Sequence, residues 1–125
     1  MEKPYQPPSD EKIEKRMIEL PREIKELSYR VADLKLNWIN AKANYKRSHA
    51  KVISIEKTKN PALTQTDLMA LADEQTAEEL IKVNVTESEY RKALADRDEL
   101  RDGLSSLCGV SSNRRASGFQ QKHQI

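Results

Sequence analysis

A chain of 125 residues has room for one modest core, because a fold of that size buries only about two-thirds of its unfolded surface. With 37% hydrophobic, 5% aromatic and 34% charged residues and only three glycines, the composition is too thin for an ordinary globular interior and suits long helices with narrow apolar seams. The longest apolar run, Leu68–Ala72, is far too short to cross a membrane, and the Pro-rich N-terminus has no apolar signal stretch.

Residues 1–8 hold three of the five prolines and read as an irregular lead-in, after which Ser9 can cap a helix with Asp10 and Glu11 in its first turn. From there Ile13, Met17, Leu20, Ile24, Leu27, Val31, Leu34, Trp38, Ala41, Tyr45, Ser48, Val52 and Ile55 recur at alternating spacings of four and three. All but Ser48 are apolar or aromatic. A 3.5-residue period sustained over six heptads is the pattern of a helix that keeps one seam against a partner by supercoiling. Pro21 lies off the seam, yet inside a helix it removes a hydrogen bond and crowds the preceding turn. The expectation is a short helix, a kink or restart at Pro21, and a long helix to about Lys57, in a molecule too long for a compact globule.

Asn60-Pro61 ends this helix. Thr64 with Asp67, or Thr76 with Glu79, offers a capping box for the next helix, and a short helix over Asp67–Asp73 can precede the main one. The last helix is expected from about Ala77 to Cys108. Leu80, Val83, Tyr90, Leu94, Leu100, Leu104 and Leu107 give it a broader, less regular stripe, with a weak point at Val83-Asn84-Val85-Thr86. Gly109 reads as its C-cap, and Ser111–Ile125, rich in Ser, Gln, Asn and Arg, as a flexible basic tail. The fold class is all-α: an elongated helical hairpin or coiled coil with a short N-terminal helix, one domain over residues 9–108 and a tail over 109–125.

The net charge of +2 conceals a strong asymmetry. Residues 30–59 carry eight Lys and Arg against two Asp and Glu, and residues 60–102 carry five against eleven. One explanation is a hairpin that folds the acidic arm onto the basic one, exposed pairs contributing about 0 to 1 kcal/mol each. The other is a stripe of Lys35, Lys42, Lys46, Arg47, Lys51, Lys57 and Lys59, with Arg114 and Arg115 in the tail, that tracks a phosphate backbone. Lys35 and Lys42 flank the seam on one side, Lys51 flanks it on the other, and Lys46 and Arg47 lie on the outer face. Trp38 and Tyr45 are interleaved with this charge, but their seam positions favour core packing over base stacking.

Catalysis needs polarised groups converging in a pocket, and the pattern offers none. His49 and His123 are far apart, Cys108 has no nearby His, and no Gly-rich phosphate loop occurs. The acidic runs Glu78-Glu79 and Asp96–Glu99 read as solvated faces, and no Glu-x-x-His or other metal spacing accompanies them. No enzyme activity, cofactor or metal is expected. A single cysteine forms no internal disulfide, which with the missing signal stretch points to the reducing cytoplasm, the host's if the chain is phage-encoded.

Trp38-Ile39-Asn40 followed by Tyr45-Lys46-Arg47, within Val31–Lys51, resembles the small helical proteins of tailed-phage recombination modules, the UvsY-type recombination mediators. Cys108–His123, with Arg115, Gly118 and Phe119, adds a fainter likeness, and Lys57-Thr58-Lys59 is a loose counterpart of the family's second basic element. The resemblance implies an oligomeric helical protein that binds single-stranded DNA and helps a recombinase displace single-strand-binding protein, with Lys46 and Arg47 in the basic-pair role. The competing expectation is a helical protein-interaction module, such as an adaptor, a host-protein inhibitor or a virion scaffold, with no nucleic-acid role. The weaker second arm leaves part of a six-heptad seam uncovered, which predicts a homo-oligomer.

Overall fold

A computed structural model describes the backbone of residues 9–123 and the side chains of residues 9–116; the expected lead-in at 1–8 lies outside the described residues. The fold is all-α. Helix α1 spans Asp10–Lys59, α2 Gln65–Gln75 and α3 Ala77–His123, and no strand occurs among the described residues. Over residues 30–93, α1 and α3 are the arms of a helical hairpin, with α2 in the connection.

Ser9 starts α1 as expected: its hydroxyl accepts from the Lys12 amide at 3.3 Å and its carbonyl takes the first intrahelical bond from Ile13 at 3.1 Å. The expected restart at Pro21 does not occur, and α1 is one helix of 50 residues. Pro21 is exposed, while Leu20 before it is buried and Ile24 after it half-buried, so unbroken burial of the seam offsets the lost hydrogen bond. A charge cluster also spans the proline. Arg16 reaches Glu23 at 2.8 Å and Glu19 at 3.6 Å, and the hydrogen bond to Glu23 is the first cause that holds the Arg16 guanidinium above its ordinary pKa.

The turn after α1 is built by Asn60 and Lys57. The Asn60 side chain accepts from the Ala62 amide at 3.2 Å, and the Lys57 ammonium donates to the carbonyls of Pro61 at 2.9 Å and Leu63 at 3.1 Å. Thr64 caps α2 by accepting from the Asp67 amide at 3.2 Å; the helix is longer at both ends than the Asp67–Asp73 segment expected. Thr76 is 2% exposed and ends α2: its amide and hydroxyl both donate to the Ala72 carbonyl, at 3.0 and 2.6 Å, while its own carbonyl accepts from Leu80 and opens α3.

The helix runs through Val83–Thr86, with the Thr86 hydroxyl donating back to the Lys82 carbonyl at 2.8 Å. One expectation for α3 is corrected: the helix does not stop at Gly109. A glycine cap needs a left-handed residue, and no glycine among the described residues has positive φ, so residues 109–123 continue as helix rather than as an irregular tail.

The chain forms two compact units, one of Met1–Tyr29 with Leu94–Ile125 and one of Arg30–Ala93. In the first, Ile13 and Leu20 of α1 are buried, with Met17, Ile24 and Leu27 half-buried, and Leu94, Leu100, Leu104 and Leu107 of α3 are half-buried. Asp10 meets Arg114 across the two helices. In the second, Val31 and Leu34 are buried, Trp38, Tyr45 and Val52 are half-buried, and Leu68, Ala72, Val83 and Ala93 complete the core. The Trp38 and Tyr90 rings stack with centroids 5.5 Å apart, which fixes the antiparallel register of the arms in this unit. Ile55, expected in the seam, is 42% exposed. In the register of Trp38 and Tyr90 it stands opposite α2, before α3 begins.

Candidate nucleic-acid interface

The nine cations singled out in the sequence divide into two groups. Five are engaged within the chain. The Lys42 ammonium sits 3.8 Å from the centroid of the Trp38 ring, Lys57 holds the two turn carbonyls, Lys59 lies 3.9 Å from Glu56, and Arg114 pairs with Asp10. Arg47, although exposed, lies back along its own helix, donating to the Asn44 side chain at 3.1 Å and to the Ala43 carbonyl at 3.4 Å. The other four, Lys35, Lys46, Lys51 and Arg115, are exposed.

Within the unit Arg30–Ala93, the heptad positions of Lys35, Lys46, Arg47 and Lys51 place them around the exposed arc of α1 rather than in one narrow line. The acidic arm does not neutralise them. Among the described residues of this unit, no Lys or Arg of α1 pairs with a carboxylate of another helix; the contact made there is the hydrogen bond of His49 with Asp73, 2.8 Å from ring Nε2 to carboxylate. Lys59 with Glu56 and Arg91 with Glu87 are pairs within single helices. The hairpin thus forms without consuming the positive surplus of α1, and Lys35, Lys46 and Lys51 project into solvent as phosphate contacts require.

The aromatic side chains are differently employed. Trp38 is stacked on Tyr90, capped by Lys42 and approached by Arg91 at 5.9 Å, and Tyr45 packs at a tilt against His49 with centroids 5.6 Å apart. Both rings belong to the hairpin, so they offer no platform for bases. The His49–Asp73 pair was missed in the sequence, because a residue beside the seam can be placed against α2 only once the α2 register is known. The Lys42–Trp38 contact carried a readable signal, four residues apart on one helix.

One open groove lies beside Arg47, about 390 Å³ in volume and lined by Ala41, Asn44, Arg47, Ser48, Glu79 and Lys82. Glu79 Oε2 is buried there without a hydrogen-bond partner. His49, the nearest histidine in the sequence, is bonded to Asp73. Among the described residues no His, Cys, Asp and Glu side chains gather to hold a metal ion, and no helix is long and apolar enough to cross a membrane. Comparison with family models, with curated proteins and with solved structures finds no match.

Proposed function

We propose that the chain is a non-enzymatic accessory protein that binds single-stranded nucleic acid through the basic outer surface of α1. The observation that carries this reading is the surplus of positive charge in residues 30–59, which the acidic arm leaves unpaired between helices. An electrostatic site of this kind follows a backbone without reading sequence, consistent with Trp38 and Tyr45 being packed within the hairpin. Assistance to a recombinase against single-strand-binding protein rests on the likeness of Val31–Lys51 to the UvsY-type mediators.

The test uses exposed side chains that make no hydrogen bond or ion pair among the described residues. Replacing Lys35 and Lys51 with Gln removes two phosphate contacts and flattens the slope of log affinity against log salt for a single-stranded oligonucleotide by about 1.4, at about 0.7 per contact. Helicity stays unchanged. An unaltered slope, or no salt-dependent binding by the natural chain, removes the proposal. The second reading, a protein-interaction module, then takes its place; the exposed Leu36, Ile39, Ile81 and Val85 favour it.

A further inference from the structure

Helix α1 carries a second seam on the side turned away from α3. Ala32, Leu36, Ile39, Ala43, Lys46 and Ala50 follow one another at spacings of four and three, the period of the packed seam, and all lie in the unit Arg30–Ala93. Leu36 is 56% and Ile39 45% exposed, Ala32, Lys46 and Ala50 are exposed, and Ala43 is half-buried. The outer face of a hairpin arm ordinarily carries polar residues. A heptad stripe of two large aliphatic residues flanked by alanines, with the aliphatic stem of Lys46 between the last two, is a surface that a second helix packs into at close range.

We propose that this face pairs with the same face of a second copy of the chain, with the two α1 helices antiparallel and the two-fold axis beside Asn40. Charge selects both the occupant and the direction. A parallel pair sets Lys46 on the partner's Lys46 and brings Lys42 beside the partner's Arg47, cation against cation. The antiparallel pair sets Ile39 against the partner's Ala43, Ala32 against the partner's Ala50, and Leu36 against the aliphatic stem of the partner's Lys46, whose ammonium reaches out to water. Along one flank Asp33, exposed and without an ion pair among the described residues, meets the partner's Arg47, and the symmetry makes that contact twice. Asn40 faces the partner's Asn40, a polar contact that pins register. The two Lys42 side chains approach on the other flank, but each ammonium is drawn back over its own Trp38 ring. Eighteen residue steps at about 1.5 Å make the contact roughly 27 Å long, at the small end of specific interfaces, so the dimer is concentration-dependent.

Sedimentation of the full chain without nucleic acid tests this independently of the proposed function. The natural chain dimerises below about 100 μM, Leu36→Ser with Ile39→Ser weakens the dimer at least about tenfold, and Arg47→Asp weakens it by setting Asp against the partner's Asp33. Combining Asp33→Arg with Arg47→Asp restores association, which a general charge effect would not do. Circular dichroism reports the same helicity throughout. A natural chain that stays monomeric, a dimer indifferent to Leu36→Ser with Ile39→Ser, or a charge swap that fails to restore association overturns the proposal.

Discussion

The two arms of the hairpin follow one geometric rule in different chemistry. The inward positions of α1 are apolar or aromatic at every step but Ser48. Those of α3, read from burial, run Glu79, Val83, Thr86, Tyr90, Ala93, Arg97, Leu100, Leu104, Leu107, Ser111 and Arg114, and continue back to Thr76: the same alternation of three and four, every position buried or half-buried, but half of them neither apolar nor aromatic. One greasy ridge suffices to organise a hairpin if the opposing arm supplies a helix with tolerable residues at the right period. Specificity then comes from the polar members: Tyr90 under Trp38, Thr76 turned back on Ala72, and Arg114 on Asp10.

The sharpest way to break the comparison is to put the same charge on the two faces of α1. Leu34 is buried in the seam, and Leu36, two residues on, points outward. Leu34→Asp buries an uncompensated carboxylate and is expected to cost about 3 to 5 kcal/mol, enough to unfold a hairpin of this size. Leu36→Asp is expected to change the stability of the monomer by less than about 0.5 kcal/mol. Urea melts at low protein concentration read the difference, and comparable losses at both positions would put the seam elsewhere.

Pro21 tests what α1 tolerates because its seam is so regular. Since the helix runs through it, Pro21→Ala restores a backbone hydrogen bond and relieves the crowding, and is expected to stabilise by about 2 to 3 kcal/mol. A helix that in fact restarts at this residue would gain little or lose stability. Arg97 tests the opposite arm. It occupies an inward position of α3 with Nε buried and unbonded, its nearest carboxylate oxygen, on Asp98, 3.6 Å away. Arg97→Leu replaces a poorly satisfied charge by packing, and is expected to stabilise by about 1 kcal/mol in the same melts.

How much of this was legible in the sequence follows the same division. The α1 seam could be read because its period is written in hydrophobicity; from Ile13 to Val52 each position predicted inward is buried or half-buried. Ile55 failed because a period on one helix does not say where its partner begins. The α3 seam was half-visible. Its leucines stood out, but Glu79, Thr86, Arg97 and Arg114 lie inward for reasons of register, which single-residue polarity does not express. For the candidate site, the surplus of charge was countable, whereas the engagement of Lys42, Lys57, Lys59 and Arg114 depends on distances between side chains. The outer stripe of α1 was open to the same counting as the inner one. It stayed unread because the inner seam already accounted for the helix.

The smallest effect concerns Gly109, where sequence and structure assign opposite backbone geometries and so opposite signs. As a C-cap, Gly109 would be left-handed, and a Cβ there would cost roughly 1 to 2 kcal/mol by crowding the following carbonyl. Inside α3 it is right-handed, and a Cβ built on it meets no atom within 4 Å. Alanine then fits without strain, and it removes conformational freedom from the unfolded chain that glycine gives up on folding. Gly109→Ala is therefore expected to stabilise by about 0.5 to 1 kcal/mol, and by comparable reasoning Gly103→Ala, also with open space around it, does the same. Each should raise the melting temperature by about 2 to 5 °C in a chain of this length. Gly103 serves as the internal standard, being mid-helix under either assignment. If Gly103→Ala raises the melting temperature while Gly109→Ala lowers it, α3 ends at Cys108, and the contact of Arg114 with Asp10 is not made by a continuous helix. If both rise, the polar-laced arm carries its heptad through the last glycine.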